Sequence, residues 1–311
     1  MTYLPDVQTW SEWGQIFTDV ALWRPVITQI CQEQGLALAQ EVVAGYPGTC
    51  AVFVVDEAVV VKLYPPQVRQ DYQRELAVYR LLDWPQLPRL LAAGVFHDRI
   101  DWPYLALEFR PGQPIREVFA QIAPQNRRAL ARELGGLLRQ LHALPVAGLT
   151  AFNVDERAWQ ARMAQYAARN LAKLEEMGFV PKATLVAWAE LLQDWRERPF
   201  PLCLINADLT EDHLLLVAED GQWRISALID WADADVNVPA YEWIALWYSL
   251  CGQDAAMFCE LLHSYDPALV IDDAFRQQML VYTLRHQFGA EIVQLVWPLD
   301  LAGCNCDSGR D

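Results

Sequence analysis

Apolar positions recur along this chain in two rhythms, and the change from one to the other divides it. Residues 11–34 read as one helix, which Gly35 ends. Residues 52–55 and 58–64 are β-branched runs on either side of Asp56-Glu57, the pattern of a hairpin. Asp-Glu is not a favoured two-residue turn pair, so a longer loop is expected. Apolar residues at 72, 76, 79 and 82 mark a helical stripe, and "YLALEFRPG" is a short strand stopped by Pro111-Gly112. Beyond that point the rhythm is mostly helical. Pro124 opens a helix whose leucines at 130, 134, 137, 138 and 141 share one face. Further helices are expected over 155–176, 182–197, 240–262 and 272–292. Between them lie the short β runs "PLCLIN", "HLLLVA" and "WRISALID". The expectation is an α+β chain with a small β-rich N-lobe, residues 1–107, and a large helical C-lobe, residues 108–311. The connector lies near 105–112, with Pro111-Gly112 as candidate hinge.

Composition narrows the function. The chain has 311 residues, 53% of them hydrophobic, enough for one large domain or two modest ones. No run reaches a membrane-spanning length, and the N-terminus shows no basic segment followed by an apolar one, so neither an anchor nor a secretory signal is expected. Seven scattered cysteines do not form a disulfide framework, and a reduced, cytoplasmic setting is expected. Cys304 and Cys306 alone make a weak metal motif. A formal charge of −16 excludes a basic nucleic-acid surface and suits either solubility or a cationic small ligand.

Two groups of residues carry chemistry. Lys62 sits in an apolar strand, and Glu75 falls on the buried stripe of the next helix with Tyr72, Leu76 and Tyr79. A carboxylate on a buried stripe needs a cation, and Lys62 is the nearest in sequence. A strand lysine paired to a helix glutamate is the device kinases use on nucleotide phosphates. The stretch "INADLTEDHLLL" sets Asp208, Glu211, Asp212 and His213 among apolar residues, with Asp208 and His213 spaced as in the D-x-x-x-x-N of a kinase catalytic loop. Further on, "LIDWADAD" places Asp230 at the end of an apolar run, where kinases carry a metal-binding aspartate.

Taken in order, "GTCAVFVV…VVVKLY", "RELAVYRLL", "LALEFRPGQPI", "LGGLLRQLHAL", "NADLTEDHLL" and "IDWADADVNVP" make the chain resemble the aminoglycoside phosphotransferase and choline kinase family over residues 40–290. Within it, the hygromycin-phosphotransferase-like bacterial subgroup is the most similar. The resemblance implies a protein-kinase-like two-lobe fold. It also implies an ATP- or GTP-dependent, Mg2+-assisted transfer of phosphate to a hydroxyl of a small polar molecule, an aminoglycoside being the first expectation. Mn2+ is expected to be accepted, and no nucleic-acid or membrane partner is implied. On the same resemblance Asp208 is the catalytic base, His213 and Asp230 hold metal, and Lys62 and Glu75 grip phosphates. Gly48 and Thr49 turn over the phosphates, and Glu108 and Arg110 lie at the adenine hinge.

Three departures stand out. Asn206 replaces the histidine before the catalytic aspartate, and His213 replaces the metal-binding asparagine. Asn237-Val238-Pro239 replaces Gly-Asp-Pro, whose aspartate anchors the loop, so a looser loop is expected. A nucleotide-binding pseudokinase or partner-binding module is the rival reading. A metal-dependent hydrolase leaves Lys62 and Glu75 unexplained. His142, Trp231, Trp243 and Trp247 read as structural, and Asp233 and Asp235 as either a cation-binding pair or a solvated turn.

Overall fold

The computed structural model describes residues 4–36, 39–46, 48–195, 202–299 and 301. The chain separates into two compact units, residues 1–112 with 225–233 and residues 113–224 with 234–311. The segment 225–233 returns to the first unit, whereas the hydrophobic pattern suggested two consecutive stretches, 1–107 and 108–311.

In the first unit, α1 (Trp10–Ile16) and α2 (Val20–Glu33) precede β1 (Val42–Ala44), β2 (Ala51–Val55) and β3 (Val59–Leu63). Then come α3 (Arg69–Leu81), β4 (Leu90–His97) and β5 (Asp101–Glu108). The strands form one antiparallel sheet in the order β1-β2-β3-β5-β4. The expected first helix is two helices. Thr9 and Glu12 close a capping box on α1, and the Asp19 carboxylate accepts from the amides of Ala21 and Leu22 to start α2. Trp13, Trp23, Phe53 and Trp102 fill the core between these helices and the sheet.

The β2–β3 turn is tighter than expected. Asp56 and Glu57 both adopt left-handed backbone, at φ 50° and 47°, and the Ala58 amide donates to Val55 oxygen at 2.9 Å. That is the backbone of the favoured hairpin turn, built without glycine. The Asp56 carboxylate accepts from the Glu41 amide at 2.7 Å and the Gln40 amide at 3.3 Å, which offsets part of the strain.

The second unit contains β6 (Gln113–Pro114), α4 (Ile115–Val118), α5 (Pro124–His142), α6 (Glu156–Met177) and α7 (Lys182–Asp194). These are followed by β7 (Cys203–Ile205), β8 (Leu214–Glu219) and β9 (Gln222–Leu228), the last of which carries the chain back into the first unit. The unit ends with β10 (Asp235–Asn237), α8 (Pro239–Ala245), α9 (Ala255–Tyr265), α10 (Asp273–Leu284) and α11 (Gly289–Val296). Strand β10 pairs antiparallel with β7, and β6 with β8. Helices α5 and α9 approach backbone to backbone: a Cβ at Gly135 would lie 2.3 Å from the Leu261 oxygen. The expected helix 240–262 is broken. A π-helical turn at Leu246–Leu250 extends α8, Gly252 and Gln253 turn left-handed, and Asp254 caps α9. The expected helix 272–292 likewise divides into α10 and α11.

Among the described residues no helix is long and apolar enough to cross a membrane. Cys31, Cys50, Cys203 and Cys251 are free and buried. Cys259 is disulfide-bonded, so the expectation of a fully reduced chain does not hold there. Cys304 and Cys306 lie outside the described residues.

Candidate active site

The first unit carries a buried charge centre. Lys62 on β3 and Glu75 on α3 are both buried, and Lys62 Nζ lies 2.8 Å from Glu75 Oε2. The same ammonium donates to Asp230 Oδ1 at 2.9 Å. Asp230 itself has left-handed backbone, φ 57°, an unusual conformation for an aspartate that is held here by its surroundings. Burial alone would push the Lys62 ammonium down. The carboxylates of Asp230 and Glu75 outweigh it and hold the group well above its ordinary value. Burial pushes the Glu75 carboxyl up, with Lys62 opposing it and Asp230 adding to it. A buried ion pair adds little net stability by itself, but removing either partner strands the other charge at about 3–5 kcal/mol. Cys50 lies close to Lys62, yet burial pushes its thiol up, so it remains protonated.

Sequence reasoning missed two further contacts here. The Tyr64 hydroxyl donates to Glu75 Oε2 at 2.5 Å, and the Trp231 amide donates to Glu75 Oε1 at 3.3 Å. Tyr64 follows directly on β3, two residues after Lys62, and both side chains reach Glu75 Oε2.

The other nucleotide-site expectations lie elsewhere in this unit. Thr49 oxygen accepts from Trp13 Nε1 at 2.8 Å, and a Cβ at Gly48 would meet nothing within 4 Å. Packing within the protein therefore does not require glycine at 48. Glu108 and Arg110 are held locally: Glu108 Oε2 accepts from Arg89 Nε at 3.2 Å, and Arg110 donates to Pro85 oxygen at 2.5 Å. Burial would raise the Glu108 carboxyl, but Arg89 and Arg110 prevail and hold it below its ordinary value.

The second unit carries the acidic loop. It is fixed through its backbone. The Asn206 side chain accepts from the Asp208 amide at 3.0 Å, and the Thr210 amide donates to Asp208 oxygen at 2.8 Å. Behind the loop, the buried Glu242 carboxylate accepts from the amides of Asn206, at 3.0 Å, and Ala207, at 3.4 Å. His142 Nε2 lies 3.9 Å from the same oxygen, and its Nδ1 lies 3.0 Å from the Tyr265 hydroxyl. Ala207 is left-handed at φ 67°. Glu242 is the anchoring residue that sequence reasoning missed. The signal was the one that found Glu75, a carboxylate inside an apolar helical run.

The acidic residues of the loop therefore do not enter the core uncompensated. Asp212 pairs with Arg116 at 2.8 Å, and the Glu211 amide donates to the Ser249 hydroxyl at 3.2 Å. Burial, then the charge of Asp212, pushes the Glu211 carboxyl up. Asp235, read as a cation ligand or a solvated turn, pairs with Arg162 at 2.6 Å. Where Gly-Asp-Pro is missing, the chain has an anchor of its own. Asn237 is fully buried, accepts from Trp159 Nε1 at 2.7 Å and donates to Asp235 at 3.2 Å. Trp231, Trp243 and Trp247 are buried, in keeping with a packing role.

Each unit offers one candidate metal ligand. His213 Nδ1 lies 2.6 Å from Asp208 backbone oxygen, an acceptor only, which puts the proton on Nδ1 and the lone pair on Nε2. Asp230 offers a partly exposed carboxylate. Among the described residues no group of three or more His, Cys, Asp or Glu is placed to hold a metal alone. Each of the two could supply one ligand to an ion that otherwise keeps water and phosphate oxygens in its shell.

The sequence pattern of the phosphotransferase enzyme family matches residues 44–275, well over half of the chain. The chain belongs to that family. It is accordingly a phosphotransferase of the small-molecule kinase type. Solved structures agree on the fold. The complex of APH(2")-IIIa with GDP and kanamycin is 18% identical, at a TM-score of 0.68 over 87% of this chain and 96% of that one. The streptomycin–ATP complex of APH(2")-IIa is 16% identical, at 0.61 over 87% and 95%. ADP-bound APH(2")-Ib is 16% identical, at 0.58 over 89% and 93%. The family's kinase-like architecture, a β-sheet unit followed by a helical unit, is thus the architecture of this chain.

Proposed function

We propose that the protein transfers the γ-phosphate of ATP to a hydroxyl of a small polar molecule, with aminoglycosides as the first acceptor class. The observation that carries this reading is the buried Lys62–Glu75 pair at 2.8 Å with Asp230 on the same ammonium at 2.9 Å. Lys62, positioned by Glu75, binds the nucleotide phosphates. Gly48 and Thr49 lie over them, and the backbone around Glu108 and Arg110 meets the adenine. Asp208 accepts the proton of the attacking hydroxyl. Asp230 is the metal ligand, with His213 Nε2 as the second. A bound divalent cation would neutralise charge on the phosphate oxygens. The aminoglycoside expectation draws on neighbours whose complexes hold kanamycin and streptomycin.

The pseudokinase alternative rested on Asn206 and Val238. Asn206 caps the Asp208 amide and Asn237 anchors the strand before Val238, which supports a competent loop. The test is a panel of hydroxyl compounds, including kanamycin and streptomycin, scored for ATP consumption and for a phosphorylated product by mass spectrometry. The expected outcome is acceptor-dependent ATP consumption with a product carrying one phosphate. Nucleotide binding without transfer to any acceptor in the panel would favour the pseudokinase instead.

A further inference from the structure

We infer that Tyr64 is a positioning residue for nucleotide binding: its hydroxyl holds the Glu75 carboxylate in place while Lys62 engages phosphate. The inference rests on the role proposed above for Lys62 and Glu75.

Three observations carry it. First, Lys62 on β3 and Tyr64, the residue just after β3, donate to the same atom, Glu75 Oε2, at 2.8 and 2.5 Å. Second, Tyr64 is fully buried and fixed at three points: its amide donates to Pro103 oxygen at 2.9 Å, its ring packs edge-on against Tyr72 of α3 at 5.3 Å, and its hydroxyl ends on Glu75. Third, the other donor to the carboxylate, the Trp231 amide, lies at a longer 3.3 Å. Burial, then the charge of Glu75, holds the Tyr64 phenol well above its ordinary value, so it remains a donor.

The physical consequence follows from counting donors. With two of its three N–H donors on Glu75 and Asp230, Lys62 has one left, and a phosphate that takes more than one draws the ammonium away from a carboxylate. As it turns toward phosphate, Glu75 needs another strong donor or becomes a poorly compensated buried charge. Tyr64 is that donor. Without it, Glu75 depends on Lys62 and competes with the nucleotide for the ammonium.

Tyr79 provides an internal control. It is on α3 with Glu75, also buried and close to that carboxylate, but its hydroxyl has no hydrogen-bond partner among the described residues. The experiment measures Mg2+-ADP affinity by calorimetry for the wild type and for Tyr64→Phe, Tyr79→Phe, Lys62→Ala, Glu75→Gln and Tyr64→Phe/Glu75→Gln. Tyr64→Phe is expected to weaken binding about 5–20-fold, the scale of a hydrogen bond to a charged group, and Tyr79→Phe by less than about twofold. The double variant is expected to bind within about twofold of Glu75→Gln, since both changes act on one carboxylate. In steady state the effect should fall on the KM for ATP and not on that for the acceptor.

If Lys62→Ala loses affinity while Tyr64→Phe behaves like Tyr79→Phe, the inference on Tyr64 fails and the proposed function stands. If the wild type binds no nucleotide, the proposed function itself fails. Should Tyr64→Phe not fold, Tyr72→Leu removes only the ring that braces Tyr64. Weakened affinity in that folded variant supports the inference, and wild-type affinity overturns it.

Discussion

The charge centre around Lys62 and the loop around Asp208 solve opposite problems. At Lys62, a buried ammonium lies between the buried Glu75 carboxylate and the partly exposed Asp230 carboxylate, with Tyr64 and the Trp231 amide completing the contacts of Glu75. At Asp208 it is the backbone that is held, by Asn206 from within and by Glu242 from behind, and the carboxylate lies 3.6 Å from His213 Nδ1. The second region holds the residues the sequence reading marked as departures, and Asn206, His213 and Asn237 are each found in a defined hydrogen bond. A charge centre tolerates little change because each partner's removal strands a charge. A backbone anchor tolerates more, because any side chain with the right donors and acceptors can supply it.

This contrast is broken most sharply by a pair of variants. Asp208→Asn removes the proton acceptor and leaves the backbone bonds intact. Turnover is expected to fall by about 10²–10⁴, with nucleotide affinity kept. Lys62→Ala should do the reverse first, with nucleotide affinity lost before any effect on acceptor binding. Calorimetry and single-turnover rates on both proteins check this, and near-normal turnover in Asp208→Asn would remove that residue from its role.

Glu242→Leu tests whether the loop is held as described. The change keeps the bulk but removes the oxygen, Glu242 Oε2, that accepts from both amides at 3.0 and 3.4 Å. Turnover is expected to drop about 10–100-fold, on the order of 1.4–3 kcal/mol for a buried hydrogen bond to charge, with nucleotide affinity unchanged. An equal loss of nucleotide affinity would mean that the effect is global and not confined to the loop.

The helical unit also predicts a pH dependence of stability. His286 is fully buried against Tyr241, with ring centroids 4.6 Å apart, and burial holds it down to about 4 from 6.5. A group with a lowered value in the folded state takes its proton there later than in the unfolded chain. As pH falls from 6.5 towards 4, the unfolded state gains the proton first, and up to about 3 kcal/mol of stability is lost. Urea unfolding at pH 7, 5.5 and 4.5 should show a shallower loss for His286→Gln than for the wild type. Parallel curves would remove His286 from the acid limb.

Much of the fold was legible because its signals are local. Long amphipathic helices such as Pro124–His142 and Glu156–Met177 lie within a few residues of their expected bounds. Strand Leu90–His97 was not foreseen: its run of Leu, Ala and Gly is half-buried on both faces and lacks alternation. The helix breaks at Asp19 and at Gly252-Gln253 lay in turns and caps that hydrophobic periodicity passes over. At the site, Lys62 and Glu75 could be paired from sequence because a buried carboxylate demands a cation. Glu242 obeys the same rule, but its partners are backbone amides 35 and 36 residues away, which no side-chain pattern announces. Tyr64 was visible only as an aromatic residue two positions after Lys62.

The smallest effect expected is the most diagnostic of how the loop departs from its relatives. His213 stands where the family's pattern has asparagine, and its Nδ1 bonds the Asp208 carbonyl at 2.6 Å. An asparagine there would offer a hard oxygen. The imidazole offers Nε2, a borderline nitrogen, which Mn2+ accepts more readily than Mg2+ does. If His213 ligates the metal, the wild type should work at least as well in Mn2+ as in Mg2+. His213→Asn should shift the ratio of the two apparent metal affinities toward Mg2+ by about 3–10-fold, roughly 1 kcal/mol of ligand preference. The substitution also removes the bond to the Asp208 carbonyl, so turnover alone would confuse loop disorder with ligand loss. The ratio between metals does not suffer from this, because a disordered loop weakens both ions alike. Metal-dependent ADP affinity, titrated with each ion on both proteins, gives the ratio without catalysis. A lowered turnover with an unchanged ratio would make His213 another backbone anchor of the same kind as Asn206, with water or phosphate taking its place around the metal.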